Sequence, residues 1–140
     1  MTDLGSLVDD ILVDTLLMEI AGLLGHLIEH GKDGSIDLRA MPLSPACIAS
    51  LEQRLGQGEV TAVVQAAGRS DIRETGIPGV WWSRHEDEAG RLIALLIDIA
   101  DVPPLLRTAR ADMVRGLQRL PDRTHVAAHA ASHPRVVAGQ

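Results

Sequence analysis

The spacing of apolar residues changes at Gly58 from near four to two, and that change restricts the chain to folds that combine helices with antiparallel strands. Before it, Leu12, Leu16, Ile20, Leu24, Leu27 and Ile28 recur at steps of three and four, the stripe of an amphipathic helix over about 8–30. Gly31 and Gly34 close that helix, and Ser35 to Arg39 then alternates as a short strand does, with Ile36 and Leu38 on one face. Ser44 predicts a second helix over 45–55, because its hydroxyl can cap free amides and Pro45 loses nothing in the first helical position. Cys47, Ile48, Leu51 and Leu55 form its apolar face.

After Gly58 the period of two predicts strands over 59–66, 70–85 and 91–99. Gly76-Ile77-Pro78-Gly79 interrupts the middle one, and since proline cannot donate to a ladder, this stretch reads as a bulge, a sharp bend or an edge. Pro103-Pro104 ends the sheet, and Leu106, Met113, Leu117 and Leu120 mark a third helix over about 105–120. The fold class is therefore α+β: an antiparallel sheet of three to four strands flanked by a long N-terminal helix, a short middle helix and a C-terminal helix. A chain of 140 residues is expected to form one domain, here over 1–121. Residues 122–140 lack an apolar period and read as a flexible, basic, His-containing tail.

Composition then removes whole classes of function. With no Phe, no Tyr and only Trp81 and Trp82, the chain lacks the rings on which RNA-reading modules stack bases. Up to Val102 it holds 17 acids against 7 Lys and Arg, which repels a nucleic-acid backbone; beyond it 6 arginines face 2 acids. Cys47 is the single cysteine, so an internal disulfide framework, a Cys-based zinc site and a CxxC redox pair are all excluded, and a reducing, cytoplasmic setting fits best. Asp9, Asp10, Asp14 and Glu19 interrupt the N-terminal apolar stretch, which argues against a signal peptide and a membrane span.

Catalytic constellations are sparse, and no HExxH, P-loop, GxGxxG or GxSxG string is present. His26 and His30 lie one helical turn apart, as do His125, His129 and His133, a spacing able to chelate a divalent metal. The first pair reads as the exposed edge of a helix, and Pro134 cuts short any helix carrying the triplet. Cys47, beside Ile48 and Leu51, reads as a buried inert thiol. No catalytic residue, metal ligand or cofactor is expected.

The informative stretch is Arg73 to Trp82. Successive strand side chains point to opposite faces, so Trp81 and Trp82 cannot both enter one core. Either a terminal helix covers the outer one, or it forms a partner surface together with Arg73, Glu74, Ile77 and Pro78, since Trp and Arg dominate interface energetics. Ile93, Leu95, Ile97 and Ile99 share one face of the last strand while Leu92, Ala94 and Leu96 share the other. Both faces of the sheet must then be covered, and a homodimer burying the sheet or the first helix is expected.

These residues carry a resemblance. Ile36 to Leu43 with Ser44-Pro45, Leu55-Gly56-Gln57-Gly58-Glu59-Val60, Ile72-Arg73-Glu74-Thr75, Gly79-Val80-Trp81-Trp82 and Ile99-Ala100-Asp101-Val102-Pro103 are similar to the C-terminal domain of the HupH/HyaF hydrogenase expression and formation proteins. The similarity runs from about Leu17 to Leu120. It implies an accessory protein for maturation of uptake nickel-iron hydrogenases, assisting the iron-sulfur small subunit or its assembly complex. Family proteins are longer and often carry such a unit twice, and Gln57 stands where they tend to have an acidic residue. The leading reading is a non-catalytic maturation factor that binds the hydrogenase small subunit or another accessory protein through the Trp-bearing sheet. The rivals are a nickel-handling metallochaperone using the histidines and a generic dimerisation module.

Overall fold

The structure, a computed structural model, describes residues 3–126. Helix α1 spans Leu4–His30; the Asp3 carboxylate accepts from the Gly5 amide, and Gly31, at φ 68°, returns its N–H to Leu27 at 2.8 Å. Strand β1, Gly34–Asp37, leads through a 3-10 turn, Leu38–Ala40, to helix α2, Pro45–Leu55. Ser44 caps α2 as its sequence position implied, accepting from the Cys47 amide at 3.0 Å. Strands β2 (Thr61–Gln65), β3 (Arg69–Glu74), β4 (Val80–Glu86) and β5 (Leu92–Ile99) follow.

All five strands form one antiparallel sheet in the order β1-β5-β4-β3-β2. The class is α+β as expected, with five strands where three to four were read. The extra strand arises because 70–85 is not one strand. The chain reverses at Ile77-Pro78-Gly79-Val80, where the Val80 amide donates to Ile77 at 3.0 Å and Gly79 sits at φ 91°. Proline second and a positive-φ glycine third are the requirements of a type II turn, so β3 and β4 are hairpin neighbours.

One face of the sheet packs on the helices. Val13, Leu16 and Ile20 of α1 and Cys47, Leu51 and Leu55 of α2 meet Ile36, Val80, Trp82, Leu95, Ile97 and Ile99 in a single hydrophobic core. The opposite face buries Ile72, Trp81 and Ser83, whose hydroxyl donates to Asp98 at 2.6 Å. Ile93, expected inside with Leu95, is 58% exposed, beside the register shift at His85 and Glu86. The amphipathic reading of α1 also needs correction. Ile28 is exposed, and Leu4, Val8, Ile11 and Met18 make its outer side apolar as well. α1 has the length and hydropathy of a membrane-crossing helix, yet Val13, Leu16 and Ile20 are committed to the core.

A first compact unit ends at Leu105 and a second begins at Leu106. The second holds helix α3, Arg110–Arg119, and a 3-10 turn, Leu120–Arg123. α3 starts later than the expected 105, because the residues after Pro103 form a 3-10 turn, Pro104–Leu106. No residue of α3 is buried; Arg115 pairs with Asp112 on its surface. From 127 onward the expected tail, with His129 and His133, lies outside the described residues.

Candidate functional site

The residues singled out as a partner surface converge on the β3–β4 hairpin, and the hairpin is first of all a structural junction. Thr75 is 1% exposed; its hydroxyl donates to the Val80 carbonyl at 2.8 Å and accepts from the Ile77 amide at 3.1 Å. These bonds fix the tip from within. The Gly76 amide donates to the Leu55 carbonyl at 2.8 Å, and the Gly58 amide to Glu74 at 2.9 Å, so the end of α2 rests on the turn. From the other side, the Ala100 amide donates to Gly79 at 3.0 Å.

Arg73, on the helix-facing side, is held by Glu52 at 2.5 Å and reaches the Gly56 carbonyl at 3.4 Å. Its guanidinium carbon lies 5.6 Å from the centroid of the Trp82 ring, in range of a cation–π contact. Beside them opens a groove of about 200 Å³ lined by Val63, Arg73, Trp82, Arg84 and their neighbours. It runs along β2, which forms one edge of the sheet.

Neither tryptophan is an outward anchor. Trp82 is 5% exposed in the helix-facing core and Trp81 6% exposed on the opposite face. They do point to opposite sides, as strand geometry requires, but the outer ring is buried too, and just past the end of β5 the Ala100 carbonyl accepts the indole N–H of Trp81 at 3.0 Å. Glu74 is half-buried, and Ile77 and Pro78 are exposed at the tip. The sequence reading missed Thr75, Glu52 and Ala100. Thr75 and Ala100 lay within strings that carry the resemblance, whereas Glu52 lay in none.

Other chemistry is not assembled. The rings of His26 and His30 lie 4.5 Å apart on the exposed end of α1, and among the described residues no three His, Cys, Asp or Glu side chains gather where a metal could sit. His85 shares a hydrogen bond with Ser70 at 2.8 Å, yet among the described residues its other ring nitrogen has no orienting partner. Cys47 is fully buried; burial first, and the Asp9 carboxylate second, push its thiol up from the ordinary range, away from reactivity. A larger hollow of about 490 Å³ between the hairpin loops at Gln65–Arg69 and Glu86–Gly90 is open, and no cluster of reactive groups faces it.

Residues 12–127 match the family model of the HupH hydrogenase expression protein, C-terminal conserved region. The chain belongs to the HupH C-terminal family. Its fold is shared with the hydrogenase expression protein HupH from Thiobacillus denitrificans ATCC 25259, to which it is 40% identical, with a TM-score of 0.77 over 79% of this chain and 92% of that one. Among curated relatives, the hydrogenase expression/formation protein HoxQ of Azotobacter vinelandii is 29% identical over 61% of this chain and 30% of its own length. HupQ of Azotobacter chroococcum mcd 1 is 27% identical over 82% of this chain and 42% of its own length. HupH of Rhizobium leguminosarum bv. viciae is 39% identical over 42% and 22%. The chain thus spans less than half the length of the curated HupH-type relatives it matches. These relatives place the family among accessory factors of hydrogenase expression and formation.

Proposed function

We propose that the protein is a non-catalytic, cytoplasmic maturation factor for an uptake nickel-iron hydrogenase that works as a homodimer. It binds the iron-sulfur small subunit or another accessory protein. The supporting observation is the family match over residues 12–127, joined to a hairpin whose interior is fully bonded while its tip and flanking groove stay open. With both tryptophans inside, recognition falls to Ile77 and Pro78 at the tip and to the groove between Val63 and Arg84. Glu74 flanks the tip, and Arg73 over Trp82 forms the groove floor, so these residues shape the surface more than they anchor a partner.

The test separates folding from recognition. Ile77→Glu and Arg84→Glu alter exposed side chains, so circular dichroism should be unchanged. Pull-down of the small subunit in cells should weaken by roughly thirtyfold, the equivalent of about 2 kcal/mol at an interface hot spot. Folded variants with normal binding and normal hydrogenase maturation would exclude this surface. Full maturation after deletion of the gene, with no second copy present, would remove the hydrogenase assignment. Stoichiometric nickel in tag-free protein would favour the metallochaperone instead.

A further inference from the structure

Helix α1 has two apolar faces, and the described residues use one. Opposite the buried Val13, Leu16 and Ile20, the side chains of Leu4, Val8, Ile11 and Met18 are 76%, 53%, 57% and 75% exposed. Thr15, Gly22 and Gly25 complete the row, so that successive positions are spaced 4, 3, 4, 3, 4 and 3 residues apart. That is the average period of 3.5 that keeps one stripe against a neighbouring helix. No charged residue interrupts the row.

The two glycines are unexplained among the described residues. A glycine inside a helix costs about 1 kcal/mol relative to alanine. At Gly22 and at Gly25 a Cβ would meet nothing within 4 Å, and neither residue has a positive φ, so nothing in the packing among the described residues calls for glycine. A second helix approaching closely at that end would.

The row is graded in size: leucine, valine and isoleucine at its N-terminal half, Thr15 in the middle, then methionine and the two glycines at its C-terminal half. Turned end for end against a second copy, the large half of each helix meets the small half of the other, and Ile11 of one lies beside Met18 of the other. A parallel pair would instead set leucine on leucine and leave a gap at the glycines. The row is about 32 Å long, and with its flanks buries on the order of 500 Å² per chain, about 1,000 Å² in all, where specific interfaces begin. Asp14, near the middle, is already paired with Arg54 of its own chain, as is Asp10. Charge argues against a lipid surface as the occupant. α1 carries no Lys or Arg to meet anionic headgroups, and Asp9, Asp10, Asp14, Glu19 and Glu29 would be repelled by them.

We infer that the outer face of α1 is the seam of an antiparallel homodimer, in which Gly25 and Gly22 receive Leu4 and Val8 of the second copy, respectively. The inference rests on the homodimer reading above and stands apart from the hydrogenase assignment. Sedimentation equilibrium of the full chain at tens of micromolar should give twice the 15.0 kDa chain mass. Ile11→Glu and Met18→Glu, both at exposed positions, should return it to a single chain with unchanged circular dichroism, whereas Leu117→Glu on α3 should leave the dimer intact. Mixing Ile11→Cys protein with Met18→Cys protein should give oxidised heterodimer in preference to either homodimer. A single-chain mass for the unaltered protein at 100 µM would overturn the homodimer reading altogether. A dimer that survives both α1 substitutions, dissociates with Leu117→Glu, or crosslinks best as Ile11→Cys alone would overturn this seam while keeping self-association. Flotation with vesicles containing 30% phosphatidylserine, abolished by Ile11→Glu, would assign the face to lipid and overturn it too.

Discussion

The amide of Gly76 donates to the carbonyl of Leu55 at 2.8 Å, which seats the tip of the β3–β4 hairpin on the last turn of α2. A Cβ at Gly76 would stand 2.9 Å from that same oxygen, a backbone atom that cannot swing aside. Gly76→Ala should therefore destabilise the fold by about 1–3 kcal/mol, the usual range for forcing atoms into a packed site. Urea denaturation checks it: an unchanged midpoint would show that the two segments separate freely.

Trp81→Ala and Trp82→Ala should each cost about 3–5 kcal/mol, because both rings are buried and each removal leaves a cavity. In a domain worth 5–15 kcal/mol in total, either change brings the chain near unfolding. Trp81→Ala also leaves the Ala100 carbonyl without its indole donor. Melts that shift by less than a degree would mean that one ring is an external anchor after all.

Asp87 organises the β4–β5 loop: its carboxylate accepts from the Ala89 and Arg91 amides, both at 2.9 Å, and from the Arg91 guanidinium at 2.8 Å. The Arg91 amide is the leading reason that its carboxyl is held below the usual value of about 3.9. A carboxyl lowered by folding stabilises fully above its unfolded value, and that contribution is lost as pH falls through the folded one. Melting temperatures of wild type and Asp87→Asn should differ at pH 6 and converge toward pH 2.5. A constant gap across that range would show that the charge is irrelevant.

Cys47 should resist a thiol-specific disulfide reagent in the native protein, reacting on the order of a hundredfold or more slower than in denaturant. Its burial and raised thiol act together, and native reaction at the denatured rate would contradict the packing around Ser44 and Asp9.

Much of this fold was legible because its signals are local. Ser44-Pro45 announced α2, Gly31 closed α1, and the alternation of β5 put Leu95, Ile97 and Ile99 on one side, all features set by residues within a few positions of one another. Pro78-Gly79 was equally local and marks a type II turn; taking it as an interruption of one strand merged two. The fate of Trp81 was not legible. Alternation turns it away from Trp82, but its indole partner is the Ala100 carbonyl just past the end of β5, and no pattern local to β4 reveals that. The junction residues Glu52 and Thr75 were hidden for the same reason. Their roles appear only once α2 and the hairpin are brought together.

The strand order has a consequence in time. β1 pairs only with β5, and Ile36 waits for Ile97, roughly sixty residues later in the chain. At a ribosomal pace of 5–20 residues per second, α1 and β1 emerge about 3–12 s before the strand that completes their shelter exists. The β2–β5 meander can form from near neighbours, so docking of the N-terminal elements is the slow, loop-closing event. A nascent chain of this protein passes those seconds with its most apolar helix bare, the interval in which a chaperone has the most to do.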